Sequence, residues 1–244
     1  MAEYLTSINS VMEALRGRRR LQKIYIQEGK SGGKLEQLKA MADKRGVFYQ
    51  DVERRRLDQL CKNVPHQGIL GLVDDFNYSD LEDILQWAER QGEEPILLIL
   101  DGIEDPQNLG AIIRSAECAG IHGIIVPRHG SAEISAAVSR ASAGAVEHMH
   151  IHQAVNLVQV IKDLRQRGFW IIAADMEGEQ EYYSVDFPRP AVLIIGGEGR
   201  GVRRLVKENS DLVVRIPMWG QLESLNAATA AALLIYELKR QQHS

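Results

Sequence analysis

From Pro95 onward, short uninterrupted apolar runs alternate with stretches of helical period, and few folds accept that pattern. ILLIL (96–100), GIIVP (123–127), FWIIAAD (169–175), AVLIIGG (191–197) and LVVRIP (212–217) are short for buried helices and too continuous for strands with one wet face. Each is expected to be a strand buried on both sides. Between them NLGAIIRSAECAG (108–120), SAEISAAVSRAS (131–142), NLVQVIKDLRQRG (156–168) and GVRRLVKEN (201–209) read as helices, and LNAATAAALLIYELKRQ (225–241) as a closing one. VEHMHIH (146–152) reads as one more strand. Strands and helices in alternation specify an α/β fold with a parallel sheet covered on both faces.

The front of the chain has a different grain. SINSVMEALR (7–16) spaces Ile8, Val11, Met12 and Leu15 as a helix would, and KIYIQ (23–27) alternates as a strand would. KLEQLKAMADKRG (34–46) reads as a helix stopped by Gly46 after two cations. VFYQ (47–50) is a second strand, DVERRRLDQLCKN (51–63) a helix and GILGLV (68–73) a third strand. Residues 1–75 are therefore expected to form a small α/β unit. The acidic stretch 76–94 reads as a linker holding one amphipathic helix from Leu81 to Arg90, and 95–244 as the second domain.

Charge follows the same division. The net charge of −4 looks unfavourable for a nucleic-acid partner, but it is an average. Residues 1–75 hold 14 Lys/Arg against 10 Asp/Glu, and the rest hold 15 against 23. A basic front and an acidic remainder suit nucleic-acid contact at one end. Arg16, Arg18, Arg19 and Arg20, with Arg54, Arg55 and Arg56, are the candidate RNA-backbone contacts. No apolar run approaches the ~18 residues of a membrane span. The opening MAEYLTSINS lacks the order of a secretory signal, and Cys61 and Cys118 have no paired spacing. A reducing, cytoplasmic setting is expected.

Three tempting motifs fail on inspection. Counted from Gly197, the sixth position of a dinucleotide fingerprint is Val202, and from Gly199 it is Arg204, where glycine is needed. This disfavours a nicotinamide dehydrogenase. Gly29-Lys30-Ser31 imitates the end of a P-loop, but Ile24 stands where its first glycine belongs. His148, His150 and His152 would alternate along one strand face without a further ligand at suitable spacing, so no metal is expected.

The chemistry concentrates where three buried strands end: LDGIEDPQNLGAIIRSAECAG (100–120), IIGGEGRGVRRL (194–205) and IPMWGQLESLNAATAAALLIYE (216–237). Ligands of parallel α/β sheets bind outside the carboxyl ends of strands, so these loops form one candidate pocket. Asn108, after Pro106, is placed to cap the helix that carries Arg114 six residues on. Gly196, Gly197, Gly199 and Gly201 allow close approach and left-handed backbone around Glu198. Ser224 is placed to cap the last helix, whose N-terminus favours an anionic group.

These three segments resemble the signature motifs of the SPOUT superfamily, in its TrmH-like branch of RNA 2'-O-ribose methyltransferases. The resemblance covers residues 95–244 with the motifs in order. The front unit, through SINSVMEAL and HQGILGLV, resembles the small RNA-binding domain of the branch that methylates a guanosine of large-subunit (23S) ribosomal RNA. The resemblance implies an α/β knot (a deep trefoil knot), a homodimer with its site at or near the subunit interface, S-adenosylmethionine as methyl donor and no metal. It implies Arg114, Asn108, Glu198 and Asn226 as catalytic residues. Gly196, Gly197, Gly199, Gly201, Ile216, Met218, Ser224, Leu225 and Ala227 are implied as the cofactor cradle. Transfer RNA is the alternative substrate, and a catalytically silent knotted RNA-binding protein the alternative of another class. The presence of Arg114, Glu198 and Asn226 argues against silence.

Overall fold

The computed structural model describes residues 3–62 and 64–242. In chain order the first elements are β1 (Glu3–Leu5), α1 (Ile8–Arg16), β2 (Leu21–Gln27), α2 (Gly33–Arg45), β3 (Phe48–Val52), α3 (Arg54–Leu60) and β4 (Ile69–Val73). Then follow α4 (Leu81–Gln91), β5 (Ile96–Asp101), α5 (Pro106–Cys118), β6 (Gly123–Pro127) and α6 (Ala136–Ala141). The remainder is β7 (Ile151–Ala154), α7 (Leu157–Gln166), β8 (Trp170–Ala174), β9 (Gln180–Glu181), β10 (Ala191–Gly196), α8 (Arg204–Lys207), β11 (Leu212–Arg215) and α9 (Ala227–Gln242).

The chain divides into two compact units, and the division is not a single cut: residues 1–77 group with 133–148, and 78–132 with 149–244. In the first unit the sheet runs β1-β4-β2-β3, with β2 and β3 parallel and the other pairs antiparallel. Val11 and Leu15 of α1 and Leu35 and Leu38 of α2 bury against Leu5, Ile24 and Ile26. Ser7 caps α1 by accepting from Ser10 N at 3.1 Å, and Gly46 ends α2 in the left-handed region its sequence position predicts (φ 66°). The segment 133–148 is bound by the Ser10 hydroxyl, which donates to Ser139 O at 3.1 Å, and by Arg140 Nη1, which donates to Thr6 Oγ1 at 3.1 Å.

The second unit is a seven-stranded sheet in the order β7-β6-β5-β10-β8-β11-β9, parallel throughout. Every residue of β5 is buried, as expected of a strand covered on both faces. From β5 the chain steps outward through β6 to β7, then crosses to β8. It later returns to place β10 between β5 and β8, in a register that pairs Gly196 with Asp101. That reversal of strand order opens a crevice at the carboxyl ends of β5 and β10.

Several expectations need correction. The strand expected over 146–152 is confined to Ile151–Ala154, because 145–147 forms a 3-10 turn behind Gly144 at φ 93°. The helix expected over 51–63 is Arg54–Leu60, since Asp51 and Val52 complete β3; Asn63 lies outside the described residues. The helix expected at Leu81 to Arg90 is present as α4; what changes is its surroundings, since its Ile84 and Leu85 are buried in the second unit's core beside Leu97 and Ile99. β1 had no sequence signal: three residues are too few for a period.

Candidate active site

The floor of the site is built from glycines and one buried carboxylate. Asp101, at the end of β5, is 1% exposed. Its backbone oxygen accepts from Gly197 N at 2.9 Å; its carboxylate accepts from Arg203 N at 2.9 Å and Arg203 Nε at 2.6 Å. A Cβ on Gly197 would lie 2.1 Å from Gly102 O, and one on Gly196 would lie 2.1 Å from the Gly201 carbonyl carbon. Side chains are therefore excluded at both positions. Gly199 and Gly201 satisfy the other demand, with φ of 81° and 63°. The close approach inferred from sequence is thus made to the protein's own backbone. Asp101 and Arg203 stand outside the residues that the motifs pick out; the sequence signal for Asp101 is a carboxylate closing an apolar run, ILLILD.

Above this floor meet three side chains, from the first turn of α5, the loop after β10 and the residue before α9. Glu198 Oε1 accepts from Asn226 Nδ2 at 2.7 Å and from Asn108 Nδ2 at 3.2 Å, and Asn226 Nδ2 also donates to Asn108 Oδ1 at 2.8 Å. Ala227 N, at the start of α9, approaches the same Glu198 oxygen at 3.5 Å. A carboxylate at the N-terminus of a long helix is favoured by the unpaired N–H groups there.

The capping assignments change with this arrangement. Asp105, not Asn108, caps α5, accepting from Gln107 N and Asn108 N at 3.2 Å each, with Pro106 in the first turn. Asn108 is thereby released to reach Glu198. Asn226, not Ser224, caps α9: its Oδ1 accepts from Ala228 N at 3.0 Å and Thr229 N at 3.3 Å. One asparagine therefore starts the helix with its oxygen and binds the site with its nitrogen.

Arg114 is exposed on α5 and makes no hydrogen bond or ion pair to the described residues. Four residues on, the Cys118 thiol is pushed up by burial and by Glu117, with Arg114 opposing. The segment 216–226 has no regular structure. Ile216 and Met218 are half-buried in it, Ser224 and Leu225 are exposed, and Ala227 is buried at the start of α9. Half-buried apolar side chains in the segment that leads into α9, with a glycine loop whose Glu198 meets the N-terminus of that helix, fit a ligand with both an apolar body and polar ends, which is the chemistry of S-adenosylmethionine.

Of the basic residues singled out in the front unit, Arg16, Arg18, Arg20, Arg54, Arg55 and Arg56 are exposed. Arg19 departs from the set. It is buried, its Nε donates to Asp74 O at 2.6 Å, and it is ion-paired with Glu3 and, at 3.7 Å, with Glu147. Such a guanidinium organises the fold and is not offered to a phosphate. His148 Nε2 lies 2.8 Å from Glu13 Oε2, while His150 and His152 both reach Ser79: His150 Nδ1 lies 3.3 Å from its Oγ and His152 Nδ1 lies 3.0 Å from its carbonyl oxygen.

Comparison with known proteins joins these features. Residues 95–236 match the SpoU rRNA Methylase family, and residues 8–79 match the RNA 2'-O ribose methyltransferase substrate binding domain. The chain is 37% identical over 241 residues to YacO of Bacillus subtilis (strain 168), which is assigned to the TrmH family of tRNA/rRNA methyltransferases. That alignment covers 99% of this chain and 96% of YacO. It is 40% identical over 222 residues to a 23S rRNA (guanosine-2'-O-)-methyltransferase of Neisseria meningitidis serogroup B (strain ATCC BAA-335 / MC58), covering 90% of this chain and 87% of that one. Among solved structures, the AdoMet-bound rRNA methyltransferase from Sinorhizobium meliloti superposes with a TM-score of 0.81 at 26% identity, covering 100% of this chain and 88% of that one.

Proposed function

This chain belongs to the SpoU (TrmH) family of RNA 2'-O-ribose methyltransferases, and we propose that its product is a 2'-O-methylated guanosine in 23S ribosomal RNA. The observation that carries the activity is the meeting of Glu198, Asn108 and Asn226 at the carboxyl end of a parallel sheet. The choice of RNA is supported by the relative from Neisseria meningitidis, whose similarity extends over 90% of this chain.

S-adenosylmethionine, when bound, supplies an electrophilic methyl carbon. Gly196, Gly197, Gly199 and Gly201, with Ile216, Met218, Ser224, Leu225 and Ala227, form the cradle that would hold it. Glu198 spends Oε1 on the two asparagines, while Oε2 makes no hydrogen bond to the described residues. That second oxygen is the acceptor we assign to a ribose hydroxyl. Arg114 anchors a phosphate beside the target ribose and stabilises charge developing at the 2'-oxygen, since charge-assisted two-pronged bonds are a guanidinium's strength. It does not act as a base, because a guanidinium keeps its proton in proteins.

We assign 1–75 to RNA binding, with the exposed front arginines on phosphates, 76–94 to the passage between domains and 95–244 to methyl transfer. We read the placement of β10 between β5 and β8 as part of the knotted crossing that the family implies. Exposed Trp219 and Leu222 in the 216–226 segment, with Leu233 and Tyr236 on α9, offer apolar surface for a homodimer. No helix among the described residues is long and apolar enough to cross a membrane, and a cytoplasmic site of action suits an RNA substrate.

The test is transfer of labelled methyl from S-adenosylmethionine to unmodified 23S rRNA and to unmodified transfer RNA, with the product position mapped. Transfer to a guanosine of 23S rRNA is expected. Transfer to transfer RNA alone would reassign the substrate, and transfer to neither would overturn the enzymatic reading.

A further inference from the structure

The two faces of the front sheet are covered unequally. One is packed by α1 and α2 through Ile24 and Ile26. The other carries Lys23 and Tyr25 of β2 with Phe48, Gln50 and Val52 of β3, since parallel partners in register share a face and the pairs are Lys23 with Phe48 and Tyr25 with Gln50. Here α3 covers only one end: Leu57 and Cys61 pack on Val52 and Leu70, with Tyr4 and Tyr25 at the margin. At seven residues, about 10 Å, α3 is too short to reach further. At the far end Phe48 is 64% exposed.

A single exposed aromatic ring is ordinary on a protein surface; the surroundings of this one set it apart. Lys23 Nζ lies 4.8 Å from the Tyr25 ring centroid and 5.1 Å from that of Phe48, and donates to Gln50 Oε1 at 2.8 Å. One ammonium is thus held between two rings, with its position fixed by a third side chain. At the opposite end of the same face, exposed Arg54, Arg55 and Arg56 begin α3 after β3 ends at Val52. Aromatic rings interleaved with cations on an open sheet face are what a single strand of RNA uses, its bases stacking while its phosphates meet the charge.

We propose that Phe48, backed by Lys23 and Tyr25, is a stacking site for an unpaired RNA base outside the target nucleotide. This rests on the RNA-methyltransferase reading and adds to it a place where the front unit grips a base instead of a phosphate. The Lys23 ammonium beside the Phe48 ring, with the arginines that begin α3 at the other end of the face, favours RNA over a second copy of the chain as occupant.

The test compares binding of the full-length protein to a labelled 12-nucleotide oligouridylate and to a 12-unit abasic oligomer with the same phosphates. Wild type is expected to prefer the oligouridylate. Phe48→Ala is expected to weaken oligouridylate binding roughly 5- to 150-fold while leaving abasic binding unchanged, and Phe48→Trp to restore it. Equal loss on both oligomers, no loss on either, or no preference in wild type overturns the proposal. A changed sedimentation coefficient of RNA-free Phe48→Ala also overturns it, since a second copy would then be the occupant. Methyl transfer to 23S rRNA is read in parallel. If wild type methylates while Phe48→Ala binds normally, only the stacking site falls. If wild type methylates no RNA, the enzymatic reading falls.

Discussion

Asn226 Nδ2 lies 2.7 Å from Glu198 Oε1 while Asn226 Oδ1 accepts from the first turn of α9, so one side chain ties the glycine loop after β10 to the last helix. Its two roles separate by substitution. Asn226→Asp keeps a good cap but replaces the donating amide with a second carboxylate facing Glu198. Asn226→Ala removes both, and loss of the cap costs about 0.5–2 kcal/mol. Asn226→Asp is therefore expected to melt closer to wild type than Asn226→Ala, yet to lose methyl transfer by about tenfold or more, as expected when a positioning bond is replaced by repulsion. Thermal melts and single-turnover methylation are the measurements. Full activity in Asn226→Asp would mean that the asparagine only caps.

Arg114 has no ion pair or hydrogen bond to the described residues to lose, so its replacement should leave folding untouched. Arg114→Ala is expected to lower the methyl-transfer rate about 10²- to 10³-fold, the range for removing a preorganised charge-stabilising donor. Arg114→Lys restores the charge but not the planar fork and should recover little. Calorimetric binding of S-adenosylmethionine should be unchanged in both variants. Nearly full activity in Arg114→Lys would show that a point charge is enough.

Much of this was legible in the chain because apolar runs and glycines speak directly. The runs at 96–100 and 191–197 named β5 and β10, the polar, glycine-rich segments at strand ends (100–120, 194–205 and 216–237) marked where the site lies, and the family resemblance picked out Asn108, Glu198 and Asn226 within them. The identity of the caps was not legible. Asp105, Asn108, Ser224 and Asn226 are all competent capping residues, and only the three-dimensional approach of Glu198 decides which are released for the site. The burial of Arg19 was equally hidden, because an arginine run looks solvated until Glu147, from a distant segment, closes over it. The membership of 133–148 in the first unit had no local signal either, since packing partners far apart in sequence leave no period.

Gly197 carries the sharpest steric constraint of the site. Gly197→Ala would set a methyl 2.1 Å from Gly102 O, and that neighbour is backbone, which cannot swing away. The β10 loop must shift, breaking the bond from Gly197 N to Asp101 O. A loss of about 1–3 kcal/mol is expected in urea unfolding, together with weakened S-adenosylmethionine binding. Gly199→Ala meets no atom within 4 Å and suffers only its positive φ of 81°, so its loss should be about 1 kcal/mol. Equal effects at the two positions would contradict the assignment.

His122 makes the second unit sensitive to mild acid. The ring is buried ahead of β6; its Nδ1 accepts from Ile96 N at 3.1 Å, leaving Nε2 to face Glu93 at 3.3 Å, with the Trp87 ring 5.7 Å away. Burial holds its pKa below the ordinary histidine value; Glu93 opposes that and Lys239 reinforces it. Protonation would also turn the Nδ1 acceptor into a donor aimed at the Ile96 N–H. A histidine with a lowered folded pKa stabilises the fold fully above about pH 6.5, and that contribution is lost as pH falls below 6.5 through the folded value, because the unfolded chain binds the proton first. Urea midpoints should therefore fall between pH 7.5 and 5.5, with a slope of at most about 1.4 kcal/mol per pH unit from this residue. His122→Asn, which offers a carbonyl oxygen near Nδ1 and does not titrate, should flatten the slope even if its stability at pH 7.5 is lower. Identical slopes in wild type and His122→Asn would show that the acid sensitivity arises elsewhere.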